Sequence, residues 1–275
     1  MMRTLTILTL LSISPLIYGQ EGNKKPPTPE DLIHDDHFRE EMGLNQFTAP
    51  SIELIFEQLK SLTPLPVKET KPKLPQRMPL DRSDLAMEIG LLIAEGFLTV
   101  QSGNLDDIEP LAKELSNYSK SLGMGEKVSR HVASILENAK NGDLENLKKE
   151  LTATQRDVEL ELIRLRDIDL AHLISLSGWA RALNASSAAV HKKYSNDRAK
   201  LLYRDDIADY YEYSLSALNP KLANRADFKQ IKATVIELKN TMILEEGETP
   251  NATDIEKINT LSNQLIELLL KRHKA

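Results

Sequence analysis

Residues 143–192 read DLENLKKELTATQRDVELELIRLRDIDLAHLISLSGWARALNASSAAVHK. Leu144, Leu147, Leu151, Thr154, Val158, Leu162, Leu165, Asp169, Leu173, Leu176, Ala180 and Leu183 follow one another at spacings of three and four. A helix completes a turn in 3.6 residues, so this repeat lays one stripe along one face. No Gly or Pro interrupts it between Gly142 and Gly178. The spacing predicts one long helix with Asp143 as its N-cap, packing through a seam in a bundle or antiparallel coiled coil.

The pattern continues outward on both sides. Periodic apolar positions predict helices over 83–102, 107–122 and 126–140 before the seam. After it they predict helices over 198–218, 225–245 and 254–273, the last with Thr253 and Glu256 as a capping box. Period-2 alternation and hairpin dipeptides are missing, so no strand is expected. The fold class is therefore all-α, a bundle of about seven helices over 83–275 with long antiparallel members. Helix 83–102 is apolar almost all round and should be largely buried. Asp84, Glu88, Glu95 and Ser102 share one narrow stripe on it, read as a solvated face.

Proline sets the other boundaries. Ten of the 13 prolines fall in residues 15–79. Residues 20–50 are polar and lack a sustained apolar period, which reads as a flexible tail. Ile52, Ile55, Phe56 and Leu59 make one face of a short helix over 51–62. Residues 63–79 hold five prolines, which argues against helix and predicts an extended strap with Leu65, Val67 and Leu74 docked. Residues 1–19, MMRTLTILTLLSISPLIYG, have one charge, Arg3, and a short apolar run ending near Gly19. That is the pattern of a cleaved signal peptide, too short for a membrane span. The expected location is exported, in a bacterial periplasm or secreted.

Composition excludes several functions. The chain has 275 residues, a net charge of −6 and no cysteine. Removing residues 1–19 leaves 34 basic residues against 41 acidic. Nothing suggests nucleic-acid binding, which normally shows a basic stripe. Disulfides, thiolate metal sites and cysteine nucleophiles are impossible. Nucleophile elbows, phosphate loops, dinucleotide fingerprints and zinc-protease motifs do not occur. No cofactor is expected.

Asp169 stands where the seam calls for an aliphatic residue. Arg166 and His172 lie three residues away on either side, within helical reach. One reading is a buried polar network of Arg166, Asp169 and His172 that fixes helix register. A second is a metal pair, because Asp169 and His172 have the acidic-x-x-His spacing used in metal-binding bundles, with Glu88 and Glu95 as further ligands, and a third is a seam that ends or splays at this point. His131 lies beside Val128 and Val132 and reads as a hydrogen-bonded core residue. His34 and His37 flank two aspartates in the tail. Tyr203, Tyr210, Tyr211 and Tyr213 cluster, and read as interface tyrosines with hydroxyls in water. Trp179 reads as core.

Four stretches, GLLIAEGFLTVQ (90–101), SLGMGEKV (121–128), ENAKNGDLENLKKEL (137–151) and RLRDIDLAHLISLSGWARAL (164–183), carry a resemblance. Across about residues 81–200 the chain resembles exported all-helical bacterial proteins with no assigned function. The resemblance implies an all-helical exported protein and transfers no site residues. The expectation is a noncatalytic structural or interaction protein that binds a partner through the acidic stripe or the strap. The alternatives are a metal-binding bundle at Asp169 and His172, and a tetratricopeptide-like scaffold that binds peptides. The last is suggested by an echo between SGNLDDI (102–108) and NGDLENL (141–147).

Overall fold

A computed structural model of the chain describes residues 55, 59–75, 77–245 and 247–272. The signal-peptide and tail readings, His34 and His37 included, lie outside the described residues, as does most of the helix over 51–62. Eight long helices are described: α1 (Arg82–Gln101), α2 (Ile108–Ser121), α3 (Gly125–Asn141), α4 (Leu144–Arg164), α5 (Ile168–Lys192), α6 (Asp205–Ala217), α7 (Ala226–Met242) and α8 (Ala252–Leu269). No strand occurs among the described residues. None of these helices is long and apolar enough to cross a membrane.

The central pair is α1 and α5, the most extensive helix contact among the described residues. α2, α3 and α4 pack each on the next, with α2 and α4 also against α1. α6, α7 and α8 do the same, and α8 lies along α5. Residues 83–100 of α1 are all buried. Gly90 explains how closely the central pair approaches. A Cβ there would stand 2.2 Å from the Ile174 carbonyl oxygen of α5.

The long helix expected over 143–192 is two helices, α4 and α5. The chain turns at Leu165–Asp167. The Asp167 N–H donates to the Leu162 carbonyl (2.8 Å) and the Arg166 N–H to the Ile163 carbonyl (2.9 Å). This is a Schellman cap, which needs a left-handed residue after the helix. Arg166 takes that place at φ 61°. The same bonding ends α2 at Gly123 and α3 at Gly142, where glycine adopts it without strain. An L-residue there costs about 1–2 kcal/mol. Arg166→Gly is therefore expected to stabilise the fold by about 0.5–1 kcal/mol, the remainder being lost to the freer unfolded chain. Urea denaturation checks this; a destabilised variant would show that the Arg166 side chain matters more than its backbone.

At α8 the cap is Asn251, whose side chain accepts from the Asp254 N–H at 2.8 Å, rather than Thr253. The strap contains one helical turn, Val67–Thr70, which the prolines on either side do not prevent. Val67 is buried, and Leu65 and Leu74 pack against the core. Leu59 and Leu62 are buried ahead of the strap. Each contributes about 1.5–3 kcal/mol before ordering costs.

Candidate functional site

The helix break between Arg166 and Asp169 separates the expected network. Arg166 is exposed on the turn. Asp169 sits half-buried in the first turn of α5, where its carboxylate accepts from the Asn219 N–H at 3.2 Å. His172 is buried one turn on, edge-on to Tyr210 with ring centroids 6.5 Å apart. So the stripe position of Asp169 does not place it in mid-helix, and its contact is the loop before α7. Among the described residues no group of three or more carboxylate and imidazole side chains converges as a metal site.

The acidic stripe of α1 is the larger correction. Asp84, Glu88 and Glu95 are 2%, 0% and 3% exposed. A buried carboxylate requires a counter-charge. Each has one, brought by a different part of the chain. Arg181 of α5 donates from Nε to Glu95 at 2.8 Å and is itself wholly buried. Arg272, after α8, grips Glu88 with Nε at 2.8 Å and Nη2 at 3.1 Å, and the Tyr118 hydroxyl donates to the same carboxylate at 2.9 Å. Arg225, just before α7, reaches Asp84 at 3.3 Å. It also reaches Asp81, the N-cap of α1, Ser83 and Asp227, and its guanidinium lies 4.8 Å from the centre of the Phe228 ring.

Burial still shows in the titration of these groups. It raises Glu88 above the usual carboxylate range, with Arg272 and Tyr118 opposing. It lowers Arg181, with Glu95 opposing. The Arg181–Glu95 pair is also incompletely bonded: Glu95 Oε1 and Arg181 Nη2 have no hydrogen-bond partner among the described residues. Arg181 Nη1 reaches Asn184 at 3.2 Å and, from the strap, the Thr70 hydroxyl at 3.3 Å. Asn184 in turn donates to Asn263 of α8 at 2.8 Å. The chain of polar contacts thus ties strap, α1, α5 and α8 together.

His131 is half-buried and clasps α3 to α4. Its Nδ1 lies 2.5 Å from Glu150 and its Nε2 lies 3.1 Å from Asp157. The two carboxylates address opposite edges of one ring, so they cannot meet at a common ion. The tyrosines divide. Tyr213 is 62% exposed, but Tyr211 is buried, stacks on Trp179 at 4.9 Å and donates its hydroxyl to the Ser175 carbonyl at 3.1 Å.

Glu159 of α4 has an ionisation that burial shifts furthest into the neutral range. Enclosure by packed atoms raises its carboxyl to about 7, with a hydrogen bond from Gln155 (2.8 Å) opposing. The folded chain therefore holds this proton more tightly than the unfolded one between about pH 4.5 and 7. Stability falls as pH rises through that window, and the ionised form is penalised above it. Its side chain keeps some solvent contact, so we expect about 1–2 kcal/mol rather than the full value of the shift. Glu159→Gln should gain that much over the parent at pH 8 and nothing at pH 4, read from paired urea midpoints. An equal gain at both pH values would mean the carboxyl does not titrate as described.

Two exposed apolar side chains stand at the end of the strap. Leu80 is wholly exposed and Met78 is 40% exposed. They lie where the strap meets α1, and Met78 lines a groove on α2 together with Pro110, Lys113, Glu114, Tyr118 and Lys120. Pro79 between them is buried, and Asp81 is fixed by its capping bonds to the Ser83 and Asp84 N–H groups. No family model, curated protein or solved structure matches the chain.

Proposed function

We propose that the chain is an exported, noncatalytic helical protein with an interaction role, and that the strap end at Met78 and Leu80 is where it meets its partner. The observation that carries this reading is the complete exposure of Leu80 between two anchored neighbours. An isolated exposed leucine needs no explanation, but Leu80 follows by two residues Met78, an exposed side chain that lines the α2 groove, and together they give the strap end apolar side chains open to a partner. The acidic stripe of α1 is occupied by the chain's own arginines. The α1–α5 pairing also supports a bundle over a stack of hairpins, in which each repeat touches only its neighbours.

A photo-crosslinker at position 80 tests this in cells that make the full precursor. A discrete adduct is expected at 80 and absent at Tyr213, an exposed control away from the strap. Equal labelling at both positions would remove the strap as the binding surface. N-terminal sequencing of the same exported material should begin at Gln20.

A further inference from the structure

The strap is a basic stretch of an acidic chain. Residues 63–80 hold Lys68, Lys71, Lys73 and Arg77 against Glu69 alone, whereas the whole chain carries a net charge of −6. Two contacts fix its course. Lys71 Nζ donates to Asp107 at 2.8 Å, just before α2, and the hydroxyl of Ser121, the last residue of α2, donates to Met78 Sδ at 3.3 Å. Between those two points the helix rises about 21 Å. Proline-rich chain from 71 to 78, at about 3.1 Å per residue, reaches about 22 Å. The strap is therefore drawn out beside α2 along its full length. A groove of about 740 Å³ lies on that helix, with Met78 as its wall on the strap side.

The groove has a mixed lining. Pro110, Lys113, Asn117 and Lys120 recur at spacings of three and four along one face of α2, and all are exposed. Pro110 and Met78 offer apolar surface, Asn117 an amide, and the lysines charge. Glu114 is the one carboxylate of the lining. Some of the cations are already engaged: Lys113 by Glu109 at 2.5 Å, and Lys71 by Asp107, whose carboxylate also feels Lys68. Lys73, Arg77 and Lys120 are not. All three are exposed, and none has an ion-pair partner among the described residues. Arg77 adjoins Met78 in the chain, and Lys120 shares the groove with it.

We propose that the strap and the α2 groove bind an acidic segment of a partner protein, which sets an apolar side chain against Met78 and Pro110 and its carboxylates against Lys73, Arg77 and Lys120. Charge complementarity selects this occupant, because the surplus along the strap is positive on a chain whose sum is negative. A lipid surface is anionic too, but it is flat and does not enter a groove between a strap and a helix. The proposal rests on the interaction reading above and supplies the chemistry of the partner met at Leu80.

The test uses the full chain and a fluorescein-labelled peptide, DELDELDELD, with binding read by anisotropy. An exposed ion pair is worth roughly two- to fivefold in affinity. Lys73→Glu/Arg77→Glu/Lys120→Glu removes three and reverses their sign, so it should weaken binding by about tenfold or more. Arg130→Glu/Lys140→Glu/Lys149→Glu makes the same charge change on α3 and α4, off the groove, and should stay within about twofold of the parent. A peptide with serine for leucine, and Met78→Ser in the protein, should each weaken binding about fivefold. Every substituted position is exposed, so the variants should keep the parent's urea midpoint. No binding to the parent, or an equal loss in the two triple variants, overturns the proposal. So does undiminished binding of the serine peptide, which would make the contact one of charge alone. Binding to phosphatidylglycerol vesicles without binding to the peptide would put a lipid surface in the partner's place and overturn it as well. A partner that is not acidic fails this test and still gives a discrete crosslink at position 80, so the two readings fall separately.

Discussion

Arg181→Met will destabilise the folded chain by about 3–5 kcal/mol, because it strips a carboxylate of its counter-charge in the interior. Glu95 is 3% exposed and Arg181 is its partner at 2.8 Å, so no solvent is at hand to take the charge. The double variant Glu95→Leu/Arg181→Met should recover most of the loss. It should even exceed the parent, since Glu95 Oε1 and Arg181 Nη2 are unmet polar atoms that both substitutions remove. Urea unfolding of the three proteins decides it. A single variant within 1 kcal/mol of the parent, or a double variant no better than the single, would mean that the pair is not the buried unit described.

Gly90→Ala will cost about 2–3 kcal/mol even though alanine favours a helix over glycine by about 1 kcal/mol. The added Cβ would meet the Ile174 carbonyl oxygen at 2.2 Å and Ser177 Cβ at 2.9 Å. A backbone carbonyl inside α5 cannot turn aside, so the two central helices must separate. Gly96→Ala is the control on the same helix. Its Cβ would lie 3.2 Å from a Leu151 methyl, which can rotate, so that change should be close to neutral. If both substitutions behave alike, helix propensity and not the approach of α1 to α5 governs position 90.

The architecture was legible because apolar spacing decides helix faces locally. Leu147, Leu151, Val158 and Leu162 are buried on α4, and Leu173, Leu176, Ala180 and Leu183 on α5, as their spacing requires. The turn between the two runs was hidden because its left-handed position carries Arg166. Gly123 and Gly142, in the same role, punctuated the sequence plainly. The near-uniform apolarity of α1 correctly indicated burial, yet its carboxylates read as solvated. Arg82, close by in the chain, bonds Asp167 instead, and Arg181, Arg225 and Arg272 come from 86, 141 and 184 residues away. Ion pairing across such distances leaves no local pattern. For the same reason Asp169 looked like a misfit in a seam and is instead a first-turn acceptor for the Asn219 N–H.

The wide sequence separation of those arginines also dictates an order of events during synthesis. α1 leaves the ribosome long before Arg272 exists, presenting an almost wholly greasy rod studded with carboxylates that have no counterion. Contacts of such long range form late. The nascent chain is thus at its stickiest while its most central helix waits for the tail end, and a holdase that covers α1 in that interval would raise the yield of native protein.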